Sequence, residues 1–166
     1  MSRSIRSART TIIAAMFTLS SGLFLAAARA PAPGDACSLF PKEDAAAALG
    51  EAASGPKATG PIKDAAGPGS TVSACEYTGS GLHKVQLNLT RLAASSVAIF
   101  KGMCTNAKAG HDGLTGLGEV ACWYNAKHAE LHAFKGSVFL SVEMNRSGNP
   151  TEPIKALMKK ALARLK

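Results

Sequence analysis

TVSACEYTGSGLHKVQLNLTR, residues 71–91, carries the period that decides the fold. In its second half Val85, Leu87 and Leu89 are apolar while Lys84, Gln86, Asn88 and Thr90 are polar, the two-residue alternation of a half-buried strand. Thr71–Thr78 reads as a second strand, and Gly79-Ser80-Gly81 joins the two as a turn. One apolar face and one polar face describe an antiparallel sheet covered on one side. The pattern returns downstream in GEVACWY (118–124), KHAELHAF (127–134) and SVFLSVEM (137–144), with a tight Lys135-Gly136 turn and alternating Val138, Leu140, Val142 and Met144. These read as three strands of a meander.

Between and around the strands the period changes to that of a helix. In SLFPKEDAAAALG (38–50), Pro41 suits a first turn, Glu43 and Asp44 sit at the positive end of the dipole, and Gly50 is a stop, which predicts a helix over 41–49. A second helix is predicted over 95–108, with Val97, Phe100, Met103, Cys104 and Ala107 on one face and Gly110 beyond its end. The last begins near Thr151, which can cap it, and Pro153; Ile154, Leu157, Met158, Ala161 and Leu165 form its stripe. From Gly55 to Gly69, seven of fifteen residues are Gly or Pro, so a loop is expected there, with one short edge strand around Pro61–Lys63 at most. The expectation is an α+β fold: an antiparallel sheet of about five or six strands with helices packed on one side.

The N-terminus reads as a targeting segment. Arg3, Arg6 and Arg9 precede an uncharged apolar run from Ile12 to Ala28, and Ala28-Arg29-Ala30 offers a small-x-small cleavage site before Pro31. Residues 1–30 are therefore expected to be a signal peptide, 31–36 a short tail and 37–166 one domain; an uncleaved anchor is the alternative. Residues 1–30 hold four arginines and no acid, so the formal charge of +8 falls to +4 without them. Much of the basicity belongs to targeting. The expected location is periplasmic or secreted, with membrane contact at most peripheral. Nucleic acid is a poor partner for an exported chain with one Trp, two Tyr and six Phe.

Cys37, Cys75, Cys104 and Cys122 all lie in the exported part, where two disulfides are the default. Their spacings lack the close pairs of a zinc site, so no metal site is assigned to them. Three connectivities are open. Ala74-Cys75-Glu76-Tyr77 and Ala121-Cys122-Trp123-Tyr124 recur 47 residues apart, each after a helix with a nearby cysteine. Read as a two-unit helix-hairpin duplication, this pairs Cys37 with Cys75 and Cys104 with Cys122.

HAELH, residues 128–132, has the glutamate in the wrong place for the HExxH pattern of zinc proteases. As a strand it puts His128, Glu130 and His132 on one face, with the histidines about 13 Å apart, too far to share one ion. The expected role is a solvated outer face. GHDGLTGLG (110–118) closes a helix and enters a strand, the reverse of a dinucleotide loop, and His111-Asp112 makes a poor acid-base dyad. No catalytic residue and no cofactor are assigned. Lys155, Lys159, Lys160, Arg164 and Lys166 make the last helix basic, a solvated face or a surface for anionic partners. Trp123, on the face opposite Val120, Cys122 and Tyr124, is either core or a marker of a binding patch with His128, Glu130 and His132.

Cys37-Ser38-Leu39-Phe40 with Leu49-Gly50, and Gly116-Leu117-Gly118-Glu119-Val120-Ala121-Cys122-Trp123, resemble the opening and the Gly-Leu-Gly-acid-x-Ala-x-Trp segment of a group of small bacterial exported proteins and lipoproteins of uncharacterised function. The resemblance spans most of residues 31–166, implies an α+β domain, and supplies no activity. Gly34-Asp35-Ala36 before Cys37 departs from the leucine-containing context that precedes a lipid-attachment cysteine. Three functions are carried forward: a non-enzymatic binding module for a small ligand or an envelope protein, a secreted inhibitor presenting a face around Trp123, and a metal-handling protein using His128, Glu130, His132 and His83.

Overall fold

The computed structural model describes residues 35–106, 112–124 and 126–166; the signal-peptide reading of residues 1–30 lies outside them. The chain runs α1 (Ala36–Leu39), α2 (Lys42–Leu49), β1 (Ser54–Lys63), β2 (Thr71–Thr78), β3 (Lys84–Arg91), α3 (Ala94–Thr105), β4 (Asp112–Leu114), β5 (Val120–Trp123), β6 (Glu130–Lys135), β7 (Val138–Asn145) and α4 (Thr151–Arg164). The strands form one antiparallel sheet in the order β1-β2-β3-β7-β6-β5-β4. No helix among the described residues is long and apolar enough to cross a membrane.

The alternation in β3 is read out as expected. Val85, Leu87 and Leu89 point with Cys75, Tyr77, Leu140, Val142, Met144, Leu131, Ala133 and Trp123 into one core, covered by α1, α2 and α4. Ile154, Leu157, Met158, Ala161, Leu162 and Leu165 seal it from above. Each fully buried Leu or Ile side chain here is worth about 1.5–3 kcal/mol. Tyr77 crosses this core edge-on to Phe40, centroids 5.0 Å apart, and donates its hydroxyl to the Phe40 carbonyl at 3.0 Å. Burial, with a small contribution from Glu43, pushes the Tyr77 phenol above its usual pKa.

The C-termini of α2 and α4 are closed by cations, one just beyond β7 and one at the end of β6, the favourable sign for the negative end of the dipole. Arg146 donates to the Ala48 carbonyl at the end of α2, and Lys135 Nζ to the carbonyls of Leu162 and Leu165 at 3.2 and 2.8 Å. Thr151 does not cap α4; the Asn149 side chain accepts from the Thr151 N–H at 2.9 Å.

The disulfides are Cys37–Cys75 and Cys104–Cys122, the pairing read from the sequence. Three other expectations are corrected. The sheet has seven strands, because the 55–69 segment supplies the edge strand β1 and Asp112–Leu114 supplies the opposite edge β4. All ten residues of β1 are exposed, so its strand nature comes from backbone pairing alone. Pro56 and Pro61 are tolerated there because an edge strand needs only one ladder, and the pairing breaks register between Ser54 and Lys57 and between Thr59 and Ile62.

Nor are all helices on one side. α3 lies on the other face, over Cys122, Phe134 and Phe139, where Val97, Phe100 and Val120 complete a second, smaller core. Its physical cause is that β5 to β7 carry apolar side chains on both faces near this end, and a two-sided apolar sheet must be covered twice. Consequently Cys75 points into the main core and Cys122 into the small one. The Ala-Cys recurrence therefore does not produce two equivalent staples.

Candidate functional site

α3 covers only the β5 side of the second face. The rest is an open polar surface built by register. Glu76, Gln86, Glu143 and Glu130 are successive cross-strand partners over β2, β3, β7 and β6; Ala74, Asn88, Ser141, His132 and Cys122 form the neighbouring row. Asn88 bridges the rows and strands, accepting from Gln86 at 2.7 Å and donating to Ser141 Oγ at 3.0 Å. On the β1 side, Lys57 and Thr59 join Ala74, Glu76 and Gln86 around an open cleft of about 180 Å³.

Glu130 and Glu143 are directly opposed. Like charges facing each other across strands cost on the order of 0.2–1 kcal/mol, which an outer surface selected only for stability avoids. Glu76 has Lys84 at 4.0 Å, and Glu130 accepts from His132 Nε2 at 2.8 Å.

The expected shared face of His128, Glu130 and His132 is not what forms. His128 precedes β6 with φ 50°, a left-handed turn conformation that breaks the alternation. Its ring instead stacks on Trp123, centroids 4.9 Å apart and 19° from parallel, and its Nε2 meets Asp112 Oδ2 at 3.2 Å. Asp112 thus pairs with His128; His111 lies outside the described residues. Trp123 is 2% exposed and belongs to the main core.

His132 is not solvated either. Its side chain is 6% exposed, sandwiched by Tyr124 (centroids 4.8 Å, 28°) and met edge-on by Phe139 (4.9 Å, 88°). The aromatic cage bury it because α3 and Phe139 close this end of the face, which periodicity in β6 alone cannot show. With Nε2 on Glu130, its Nδ1 is buried without a hydrogen-bond partner.

His83 has a structural task at the β2–β3 turn. Its Nδ1 donates to Glu51 at 2.7 Å, and its Nε2 accepts from the Ser147 N–H at 3.2 Å, so both ring nitrogens are engaged. Glu51 also accepts from Ser80; hydrogen bonds from Ser80 and then His83 hold its carboxyl below the usual pKa.

Of the basic residues on α4, Lys160 and Arg164 serve the fold. Lys160 Nζ donates to the buried Asp44 carboxylate at 2.7 Å, while Arg164 forms an ion pair with the other oxygen and donates a hydrogen bond to the Leu39 carbonyl at 3.0 Å. Burial raises the Asp44 pKa, but Lys160 and Arg164 together outweigh it and hold the carboxyl below its usual value. Lys155 pairs with Glu152 at 2.9 Å. Lys155 and Lys159 flank an open cleft of about 530 Å³ against Gly113–Leu117, of mixed polar and apolar lining.

Sequence reasoning missed Asn88, Ser141 and Glu143 as site residues. Their polar places in otherwise apolar alternation were the available signal. Comparison of the chain with protein-family models, curated proteins and solved structures gives no significant match.

Proposed function

We propose that this chain is an exported, periplasmic, non-enzymatic binding module that receives a basic segment of an envelope protein on the open half of its sheet. The observation that carries the reading is the carboxylate row of Glu76, Glu143 and Glu130, with Glu130 and Glu143 directly opposed on an uncovered face. A cationic partner would relieve that repulsion, and electrostatic complementarity of this kind governs encounter rate and specificity. The clefts around the molecule are open and polar-rimmed, which supports a partner lying across a surface over a ligand enclosed in a cavity. The two disulfides are compatible with export. An inhibitor face centred on Trp123 loses its anchor, since Trp123 is core and the exposed aromatic beside it is Tyr124 alone.

The test is titration of isotope-labelled protein with a lysine-rich peptide, followed by amide shifts. Changes confined to residues 74–76, 86–88, 130–132 and 141–143, weakened by salt and by Glu143→Lys, support the reading. Shifts clustered elsewhere, or none at millimolar peptide, overturn it.

A further inference from the structure

At the α3 end of the same face, Sγ of Cys104, Sγ of Cys122 and a ring nitrogen of His132 all lie within 4.8 Å of one another, and all three residues are buried. Cys122 is the cross-strand partner of His132, so two of the three are positioned by the sheet itself. The Glu130 carboxylate accepts from Nε2, and in the neutral ring that tautomer leaves Nδ1 as a bare lone pair. That atom has no hydrogen-bond partner. An unpaired buried acceptor is destabilising, and Tyr124 and Phe139 fix the ring that carries it.

We propose that Cys104, Cys122 and His132 form a redox-gated metal site: closed as the disulfide, and in its reduced form a three-ligand site for Zn²⁺ or a similarly thiophilic cation. The site's three ligands lie under α3 and outside the carboxylate row proposed above; the two share Glu130, whose carboxylate faces both. Two thiolates and one neutral imidazole give a complex of zero net charge with Zn²⁺, suited to a buried place, and leave one coordination position open. Glu130 completes a carboxylate-histidine-metal arrangement, the partner that orients a ligating imidazole and raises its basicity. Cys37–Cys75 has no such histidine: the group of three is the only one of its kind among the described residues.

The chemistry balances with an external dithiol as reductant. Its two thiols become a disulfide; the Cys104–Cys122 bond breaks, and each sulfur gains one electron and one proton. Zn²⁺ then displaces the two thiol protons to solvent. Zinc distances put donor atoms about 3.3–3.8 Å apart, so the sulfurs must separate and α3 must shift outward. α3 is able to do so, because Cys104 is its only fully buried residue.

The experiment takes the chain from residue 31, reduced with excess dithiol and freed of it anaerobically, and titrates Zn²⁺ against a chromophoric chelator while proton release is measured. Expected are one Zn²⁺ per reduced chain with about two protons released, and none at this site in the oxidised protein. His132→Leu should weaken binding, Glu130→Gln should weaken it about tenfold, and the Cys104→Ser/Cys122→Ser variant should lose it. Glu76→Gln, at the far end of the row on β2, should leave it unchanged, which separates this site from the open face. Absence of Zn²⁺ binding, binding indifferent to His132→Leu and Glu130→Gln, or binding kept by the double serine variant overturns the proposal. So does a sheet that melts on reduction, read by circular dichroism, and does not return with Zn²⁺.

Discussion

At the scale of single residues, the sequence was readable where side-chain type and environment agree and silent where a backbone needs room. Val85, Leu87 and Leu89 announced their face by alternation, and the structure buries all three. Gly118 looked like connector glycine, yet a Cβ there would stand 2.3 Å from the Phe134 carbonyl oxygen, on a backbone with φ 66°. The absent side chain lets Glu119 N–H reach that oxygen at 2.8 Å and start β5 against β6. Gly118→Ala should therefore cost about 3 kcal/mol from steric displacement and left-handed strain combined, measured by urea denaturation. Gly116→Ala is the control: it shares the positive φ, 80°, but has nothing within 4 Å. Equal losses in the two variants would show that conformation, not the close approach, sets the cost. His132 was misplaced for a related reason. Its burial is decided by Tyr124, Phe139 and α3, none of which the HAELH string contains.

At the scale of elements, the central hairpin, the later meander, α3 and α4 were legible because each carries an apolar period, and α2 because Pro41, Glu43, Asp44 and Gly50 mark its ends. β1 was not, since all ten of its residues are exposed and its proline and glycine content reads as loop. Gly60 shows what the sequence hides there, for its φ of 89° and a would-be Cβ 2.5 Å from the Val72 carbonyl oxygen belong to a bulge in an edge strand. The side on which α3 packs was also hidden, because its apolar stripe is the same whichever face it meets. Its attachments are few: the Cys104–Cys122 disulfide, the Phe100–Phe139 contact at 5.9 Å, and the Lys101–Glu119 ion pair. Hydrogen bonds from Lys101 and then Gly136 hold the Glu119 carboxyl below its usual pKa. Closing an 18-residue span, the disulfide is worth about 3 kcal/mol in the chain-entropy account, more than the other two together. Cys104→Ser/Cys122→Ser should thus speed hydrogen exchange at Ile99–Cys104 amides while those of β2, β3 and β7 keep their protection. Uniform acceleration through the sheet would mean that α3 is part of one cooperative unit and not a separable cover.

At the scale of the whole molecule, two layers with different electrostatic tasks meet across the sheet. The open face keeps Glu143 exposed and Glu76 and Glu130 half-buried, whereas α4 turns Lys160 and Arg164 inward, onto Asp44 and the Leu39 carbonyl of α1. Asp44 therefore joins α2 to α4, the two helices that roof the main core. Its carboxyl is held below the usual pKa by Lys160 and Arg164 against the opposing effect of burial. A depressed folded-state value means that this contribution is complete above the unfolded value, about 3.9, and is lost as pH falls through the folded one. Lys160 and Arg164 are 52% and 38% exposed at the side chain, so removing the acid leaves cations that water can solvate; the loss stays below that of a fully buried pair. Asp44→Asn should cost about 2 kcal/mol at pH 6, read from the urea midpoint, and the gap from the unmodified chain should narrow as pH falls below 4 because both then lack the charge. Glu51 and Glu119, also depressed, act in the same direction and leave the variant some acid lability of its own. A gap that persists undiminished at pH 2 would show that Asp44 stabilises the roof through its shape and hydrogen-bonding atoms, and that its ionisation contributes nothing.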